Sequence, residues 1–248
     1  MKKTIILFLF VLMLSPTVLG EVSTKRLEWY YKPTTDHSRP DGASEAHFLE
    51  EHDAYYIGKD EKCVYLTFDL GFENESVSKI VETLRKESVP ATFFVLSHPV
   101  ENGELIDDIV SDGHVVANHT AHHKDMTKAA DLDAFRYELE SLEESFKKRT
   151  GKEIARFYRA PKGVYSEENL AWAKELGYKT VFWSLAWADW EERSGVGGDY
   201  ALDKILKRLH NGAIILLHPT SKANAEMLPK LIATLKKDGW EFKTVLDL

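Results

Sequence analysis

The chain has 248 residues, 44% hydrophobic and 29% charged, which excludes a disordered polypeptide. A formal net charge of -8 excludes a general nucleic-acid binder, which needs a basic face to offset phosphate, but leaves room for an anionic polymer held by a few local groups. With one cysteine, Cys63, no internal disulfide can form, so stability has to come from the core.

The opening, "MKKTIILFLFVLMLSPTVLGE", has two lysines, an apolar run and small residues before a cut. That layout predicts a secretory signal peptide over residues 1–20, cleaved after Gly20, and a protein working outside the cytoplasmic membrane. The rival is a retained anchor, but Ile5 to Leu14 is short for a hydrocarbon core, which takes about 20 residues. Residues 21–60 read as an N-terminal extension, polar and loop-like, whose Trp29, Tyr30 and Tyr31 can pack it onto the body.

From residue 61 to 248 short apolar runs alternate with amphipathic ones. "VYLTFD" reads as a buried strand carrying Cys63 just before it, and "NESVSKIVETLRKESV" as a helix. "ATFFVL" is a strand, "GELIDDIVSDG" a helix ending at Gly113, and "HVVANHT" a strand running into a loop. "DLDAFRYELESLEESFKKRTG" is a long helix capped by Asp131 and stopped at Gly151. After the strand "ARFYRAP", Ser166 can cap the helix "SEENLAWAKELG". "KTVFWSLAW" and "AIILLHP" are strands flanking the helix "DYALDKILKRLHNG". "NAEMLPKLIATLKKDG" is the last helix and "WEFKTVLDL" the closing strand. Strand and helix alternate about seven times, which implies parallel strands joined by helical crossovers, in a closed or nearly closed barrel or in an open doubly wound sheet.

Asp69, His119, Arg159, Asp189 and His218 each fall at or just past the C-terminal end of such a strand, where a parallel barrel builds its active site. In "NHTAHH", His119 and His123 are spaced i and i+4; on a helical turn they would share a face and could chelate one zinc-like ion. His122 would turn away. Asp69 can act as general base to a metal-activated water, with Arg159 pinning it, while Asp189 can orient and support a protonated His218 as general acid. Asn74 competes for the cap of the first helix, and Trp187 and Trp190 can stack on a sugar or pack in the core. No GxSxG elbow or nucleophilic cysteine is present, so metal-assisted hydrolysis of an acyl group is favoured over a covalent acyl-enzyme.

"TFDLG", "HTAHH", "RAPKG", "WADW" and "LLHP", in that order, resemble the five motifs of the polysaccharide deacetylase (NodB-like) family, carbohydrate esterase family 4. The resemblance implies an α/β fold, a distorted (β/α)7 barrel with the N-terminal extension packed on it. It also implies hydrolysis of N-acetyl groups on an amino-sugar polymer. By motif, Asp69 corresponds to the base, Arg159 to the residue holding it, Asp189 with His218 to the acid pair, and His119 with His123 to ligands of a divalent metal, zinc first. "LEWYYKPTTDHSRP", "YYIG" and "FEN" narrow the resemblance to the delta-lactam-biosynthetic subgroup. That implies peptidoglycan glycan strands as partner, no protein partner, and N-acetylmuramic acid residues already stripped of peptide as substrate. Asn74, Lys162, Trp187 and Trp190 are then candidate substrate contacts, with Arg159, Lys162 or another basic side chain able to meet the lactyl carboxylate. Polymers of N-acetylglucosamine are the runner-up substrate. One departure stands out: Leu70 occupies the position of the family's third metal ligand, an Asp. Leucine cannot ligate, so weaker or altered metal binding, or an inactive glycan-binding descendant, is the implied consequence; the subgroup departs there too, which favours altered metal dependence over loss of activity.

Overall fold

The computed structural model describes residues 22–44, 47–190 and 196–248, so the expected signal peptide lies outside the described residues. Two short strands come from the extension, β1 (Leu27–Glu28) and β2 (Ala54–Tyr55). The body then runs β3 (Cys63–Leu70), α1 (Glu75–Glu87), β4 (Thr92–Val95), α2 (Ser97–Asn102), α3 (Ile106–Ser111), β5 (Val115–Asn118) and α4 (Leu132–Thr150). It continues with β6 (Ala155–Tyr158), β7 (Val164–Tyr165), α5 (Glu167–Glu175), β8 (Lys179–Val181), α6 (Gly198–Arg208), β9 (Ala213–Leu217), α7 (Lys222–Lys237) and β10 (Glu241–Lys243).

Local chemistry sets the boundaries. Asp131 accepts from the Ala134 amide at the start of α4, and Ser166 from the Asn169 amide at the start of α5, each satisfying a donor with no partner inside the helix. Gly151 ends α4 at φ 69°, a left-handed conformation open to glycine at little cost. Ser221 starts α7 two residues before the expected run by accepting from the Asn224 amide.

Every pairing between the named strands of the main sheet is parallel. β2, β8, β6, β5, β4 and β3 are successive neighbours, and β9 covers the other edge of β3. Single bridges, Leu185 to Ile215 and Ile57 to Ala213, link β9 to the segments beyond β8 and β2. The result is a curled, incompletely closed parallel barrel with helices outside.

Three features differ from the sequence expectation. The extension supplies a strand of the sheet, β2. "GELIDDIVSDG" yields only the short α3, preceded by the unexpected α2. The last segment is no closing stave: β10 pairs with Cys63–Tyr65 alone, beside β4 on the same edge of β3, before turning at Val245–Asp247.

Strand alternation decides what faces the lumen. On β3, Cys63 and Tyr65 belong to the inner cluster with Phe94, Ala117, Val181 and Ile214. Val64, Leu66, Phe68 and Leu70 belong to the layer under α1, α6 and α7. Continuing the period, Thr67 and Asp69 face inward and Leu70 outward, fully buried.

The extension is strapped down by β1 pairing antiparallel with β7. Trp29 stacks on Phe182 at 4.7 Å, lies 5.1 Å from Tyr56, and donates its indole N–H to the Trp183 carbonyl. Its amide donates to Gly163, where a Cβ would sit 2.8 Å from the Trp183 ring, so glycine lets arm and body meet. Tyr31 closes the strap through its hydroxyl and the Ala186 amide at 2.9 Å. Trp29→Ala is expected to destabilise the protein by about 3–5 kcal/mol, the usual cost of truncating a buried tryptophan. A chemical-denaturation midpoint measured against wild type checks this; an unchanged midpoint would show that the arm is dispensable.

Candidate active site

The mouth of the curled sheet is built around Arg159, just past β6 and wholly buried. Its Nε donates to Val181 O at 2.9 Å and Nη2 to Phe182 O at 3.2 Å, while Nη1 reaches Thr67 Oγ1 at 2.9 Å and Asp69 Oδ1 at 2.8 Å. Its guanidinium carbon lies 4.1 Å from the centre of the Phe94 ring. With these bonds its donors face protein groups, so it does not serve as the contact for a substrate carboxylate.

Asp69, at the end of β3, has a side chain 9% exposed. Burial alone would raise its pKa, but Arg159, His119 and His218 outweigh it and hold the carboxyl below the usual range. The ionised form persists at neutral pH. Its second oxygen faces His119 Nε2 at 3.6 Å.

His119 follows β5 and donates from Nδ1 to the Arg159 carbonyl at 2.8 Å, so Nε2 carries the lone pair toward the mouth. Burial pushes its pKa down to about 4 against the pull of Asp69, keeping the ring neutral at pH 7. His123 stands with its ring centre 4.9 Å from that of His119, and burial lowers its pKa too. No helical turn brings the two together: residues 119–123 form a loop in which Thr120 (φ 71°) and His123 (φ 55°) are left-handed. The i, i+4 expectation is thus corrected in cause: the rings meet through backbone that costs energy to hold.

Two neutral imidazoles, one fixed by a carbonyl on its far nitrogen, are a fitting donor pair for a zinc-class ion. Leu70 adds nothing, as its side chain lies in the core layer. Among the described residues no group of three His, Cys, Asp or Glu side chains gathers to hold an ion. The protein's share of such a shell is two nitrogens.

On the other side, Asp189 Oδ1 bonds His218 Nδ1 at 2.8 Å and Oδ2 accepts the His218 amide at 2.7 Å. Burial would lower the His218 pKa, but the bond and charge of Asp189, with Asp69, raise it above the ordinary imidazole value. Asn224, on α7 and fully buried, went unnoticed in the sequence. It donates to Asp189 Oδ2 at 2.6 Å and to His218 O at 3.0 Å, and accepts the Trp187 indole N–H at 3.0 Å. Its only sequence signal is its place six residues after His218.

The candidate substrate contacts divide. Trp190 is 62% exposed with its ring 6.1 Å from His218, at the mouth. Trp187 is 8% exposed, packed in the core with its N–H taken by Asn224, so it offers no stacking face. Asn74 caps α1 through the Ser76 and Val77 amides and donates to Thr220 O; it ties two mouth loops together rather than presenting a free amide. Lys162, left-handed at φ 59°, is exposed, lies close enough to His123 to lower its pKa, and makes no ion pair among the described residues. It borders a cleft of about 640 Å³ lined also by His123, Met126 and Tyr137.

The polysaccharide deacetylase family model matches residues 57–181. The chain is 42% identical over 230 residues to the peptidoglycan-N-acetylmuramic acid deacetylase PdaA of Bacillus subtilis, covering 92% of this chain and 87% of that one. The solved structure of that family 4 carbohydrate esterase superposes with a TM-score of 0.87 at 41% identity, covering 92% and 98% of the two chains. A peptidoglycan-N-acetylglucosamine deacetylase of Bacillus cereus is 33% identical over 187 residues, 73% of this chain and 66% of that one. A family 4 pseudoenzyme of Bacillus anthracis superposes with a TM-score of 0.71 at 29% identity, covering 79% and 68%.

Histidine NMR titration of metal-free protein is expected to find His119 protonating at about 4 and His218 above the ordinary imidazole value. Asp189→Asn removes the group that favours the imidazolium and leaves burial unopposed by it, so the His218 midpoint should fall. A midpoint that does not move would remove Asp189 from this role.

Proposed function

Since the chain belongs to the polysaccharide deacetylase family, we propose that it hydrolyses N-acetyl groups of peptidoglycan, on N-acetylmuramic acid residues that have lost their stem peptide. Such a step prepares the free amine that a muramic delta-lactam requires. The carrying observation is the opposition of two differently partnered carboxylates across one mouth: Asp69 held ionised by Arg159, and Asp189 supporting a protonated His218.

The ionised Asp69 takes a proton from water as its oxygen adds to the acetyl carbon. Protonated His218 gives its proton to the amide nitrogen as the C–N bond breaks, releasing acetate and the free amine. A divalent ion held by His119 and His123 supplies, when bound, Lewis-acid polarisation and a lower pKa for water. Zinc leads among such ions because imidazole suits it, and two protein nitrogens imply a loose grip. Trp190 offers a sugar a face beside His218.

The muramic reading draws on the similarity to the Bacillus subtilis enzyme over nearly the whole chain, front segment included. A muramic acid without peptide carries a free lactyl carboxylate. Lys162 is an ammonium without an ion-pair partner among the described residues, whereas each guanidinium nitrogen of the buried Arg159 already bonds a protein group. N-acetylglucosamine chains are the alternative substrate, and Leu70 motivates a second reading, an inactive glycan binder. The expected signal peptide, if cut, would deliver the protein to the cell wall.

Incubation with amidase-treated peptidoglycan and added zinc, cobalt, manganese or magnesium should release acetate, in excess of that from chitin oligosaccharides. Asp69→Asn should lower turnover by about 100-fold or more, the ordinary worth of a general base. Lys162→Ala should raise KM on the muramyl glycan and leave N-acetylglucosamine chains unaffected. No acetate from any substrate by folded protein, with glycan binding indifferent to Asp69→Asn, would establish the binder instead.

A further inference from the structure

Glu138 sits in the middle of α4 with its side chain only 5% exposed. It is an acid on a buried helix face, and its partners all come from one short segment. Its Oε2 accepts the His122 amide at 3.1 Å, its oxygens meet His122 Nδ1 at 3.0 and 3.1 Å, and Oε1 pairs with Lys124 Nζ at 2.7 Å. Its own carbonyl accepts the Ala121 amide at 2.9 Å. Burial would raise the carboxyl's pKa, but Lys124 and His122 outweigh it and keep the group ionised. His122 and Lys124 are 52% and 63% exposed, so neither needs the acid for its own solvation.

The segment so gripped is the one that places His123. Its backbone is strained at Thr120 and His123, both left-handed and neither glycine, a cost that surrounding contacts must balance. Within the loop there are two small ties, Thr120 N to Asn118 Oδ1 and His123 N to Thr120 Oγ1. From outside the loop, the Ser97 amide donates to the Ala121 carbonyl at 3.2 Å, and the other hydrogen bonds to residues 121–124 among the described residues come from Glu138. With Leu70 in the core and two protein nitrogens for an ion, a loop free to relax would have to be ordered by the ion itself.

We propose that Glu138 is a positioning residue: its carboxylate, reaching from α4, clamps residues 121–124 in the strained form that sets the His123 imidazole beside His119, and thereby sets the affinity for the ion. The proposal rests on the metal reading given above and goes beyond it in assigning the affinity to a residue that touches neither ion nor substrate.

The test is a cobalt(II) titration followed by visible absorption, with amide hydrogen exchange of the metal-free proteins. Glu138→Ala should weaken cobalt binding by about tenfold or more, the usual loss when a ligand's support is removed, and speed exchange at Ala121 and His122. Glu138→Gln keeps an acceptor for the His122 amide and should recover most of the affinity. Asp131→Ala, which removes the cap of the same helix without touching the loop, controls for general weakening of α4. Cobalt affinity in Glu138→Ala within twofold of wild type, or an equal loss in Asp131→Ala, overturns the clamp. A wild-type protein that takes up no cobalt overturns the metal reading and the proposal with it, a result distinct from uptake that the mutation leaves unchanged.

Discussion

The buried guanidinium of Arg159 is the interaction on which the rest of the mouth depends. A full charge with no exposed surface is tolerated only where it is paired and hydrogen-bonded, and here the acceptors that meet all three guanidinium nitrogens come from β3, β8 and the residue after β8. Three strand ends are thereby fixed to one point. The same residue's carbonyl receives His119, and its amide donates to Asn118 at the end of β5. Asp69, His119 and the sheet curvature are consequently one structure. Loss of the guanidinium would leave Asp69 buried and unpaired, a change typically worth about 3–5 kcal/mol in stability, so its chemical and architectural roles cannot be separated by deleting it.

Around this rigid point the functional loops are held by hydrogen bonds rather than by regular structure. Lys162, His123 and Thr120 all carry left-handed backbone beside the mouth. None is glycine, so each stores conformational energy that surrounding contacts balance. The strap of the extension contributes at a distance, since Trp29 bonds Gly163 immediately after Lys162 and Tyr31 bonds Ala186 before Asp189. An arm that reads as loop in the sequence therefore braces both the RAPKG and the WADW segments.

Much of this was legible in the sequence because parallel strands announce themselves as apolar runs and end where ionisable residues begin. Asp69, Arg159, His119 and His218 stand at or next to observed strand ends, whereas Asp189 lies eight residues past Val181 because β8 is shorter than its apolar run suggests; all five converge. What periodicity could not supply was contact between elements. Trp187 and Trp190 look alike in "WADW", yet a hydrogen bond from Asn224 draws the first into the core while the second stays exposed. His119 and His123 have helical spacing, but Asn118, Thr120 and Glu138 hold the segment as a loop. β2 and β10 escaped correct placement because two or three residues carry no readable alternation. Asn224 and Glu138 are single polar residues on amphipathic helices, where an inward-facing one is indistinguishable from a solvated one without the fold.

The two aspartates show how one side-chain type is given opposite work. Asp69 is paired with a guanidinium that never releases its proton, so the pair can only keep the carboxylate charged and available as an acceptor. Asp189 is paired with an imidazole whose charge is variable, so the same negative charge is spent on keeping a neighbour protonated. The surroundings reinforce the division. Asp69 has a side chain 9% exposed, whereas the His218 side chain is 32% exposed at the rim. Asn224 blocks the remaining oxygen of Asp189, which therefore cannot compete as a second base. The proposed acid and base are thus distinguished by their partners before any substrate arrives, which is the condition for two such groups to act at one pH.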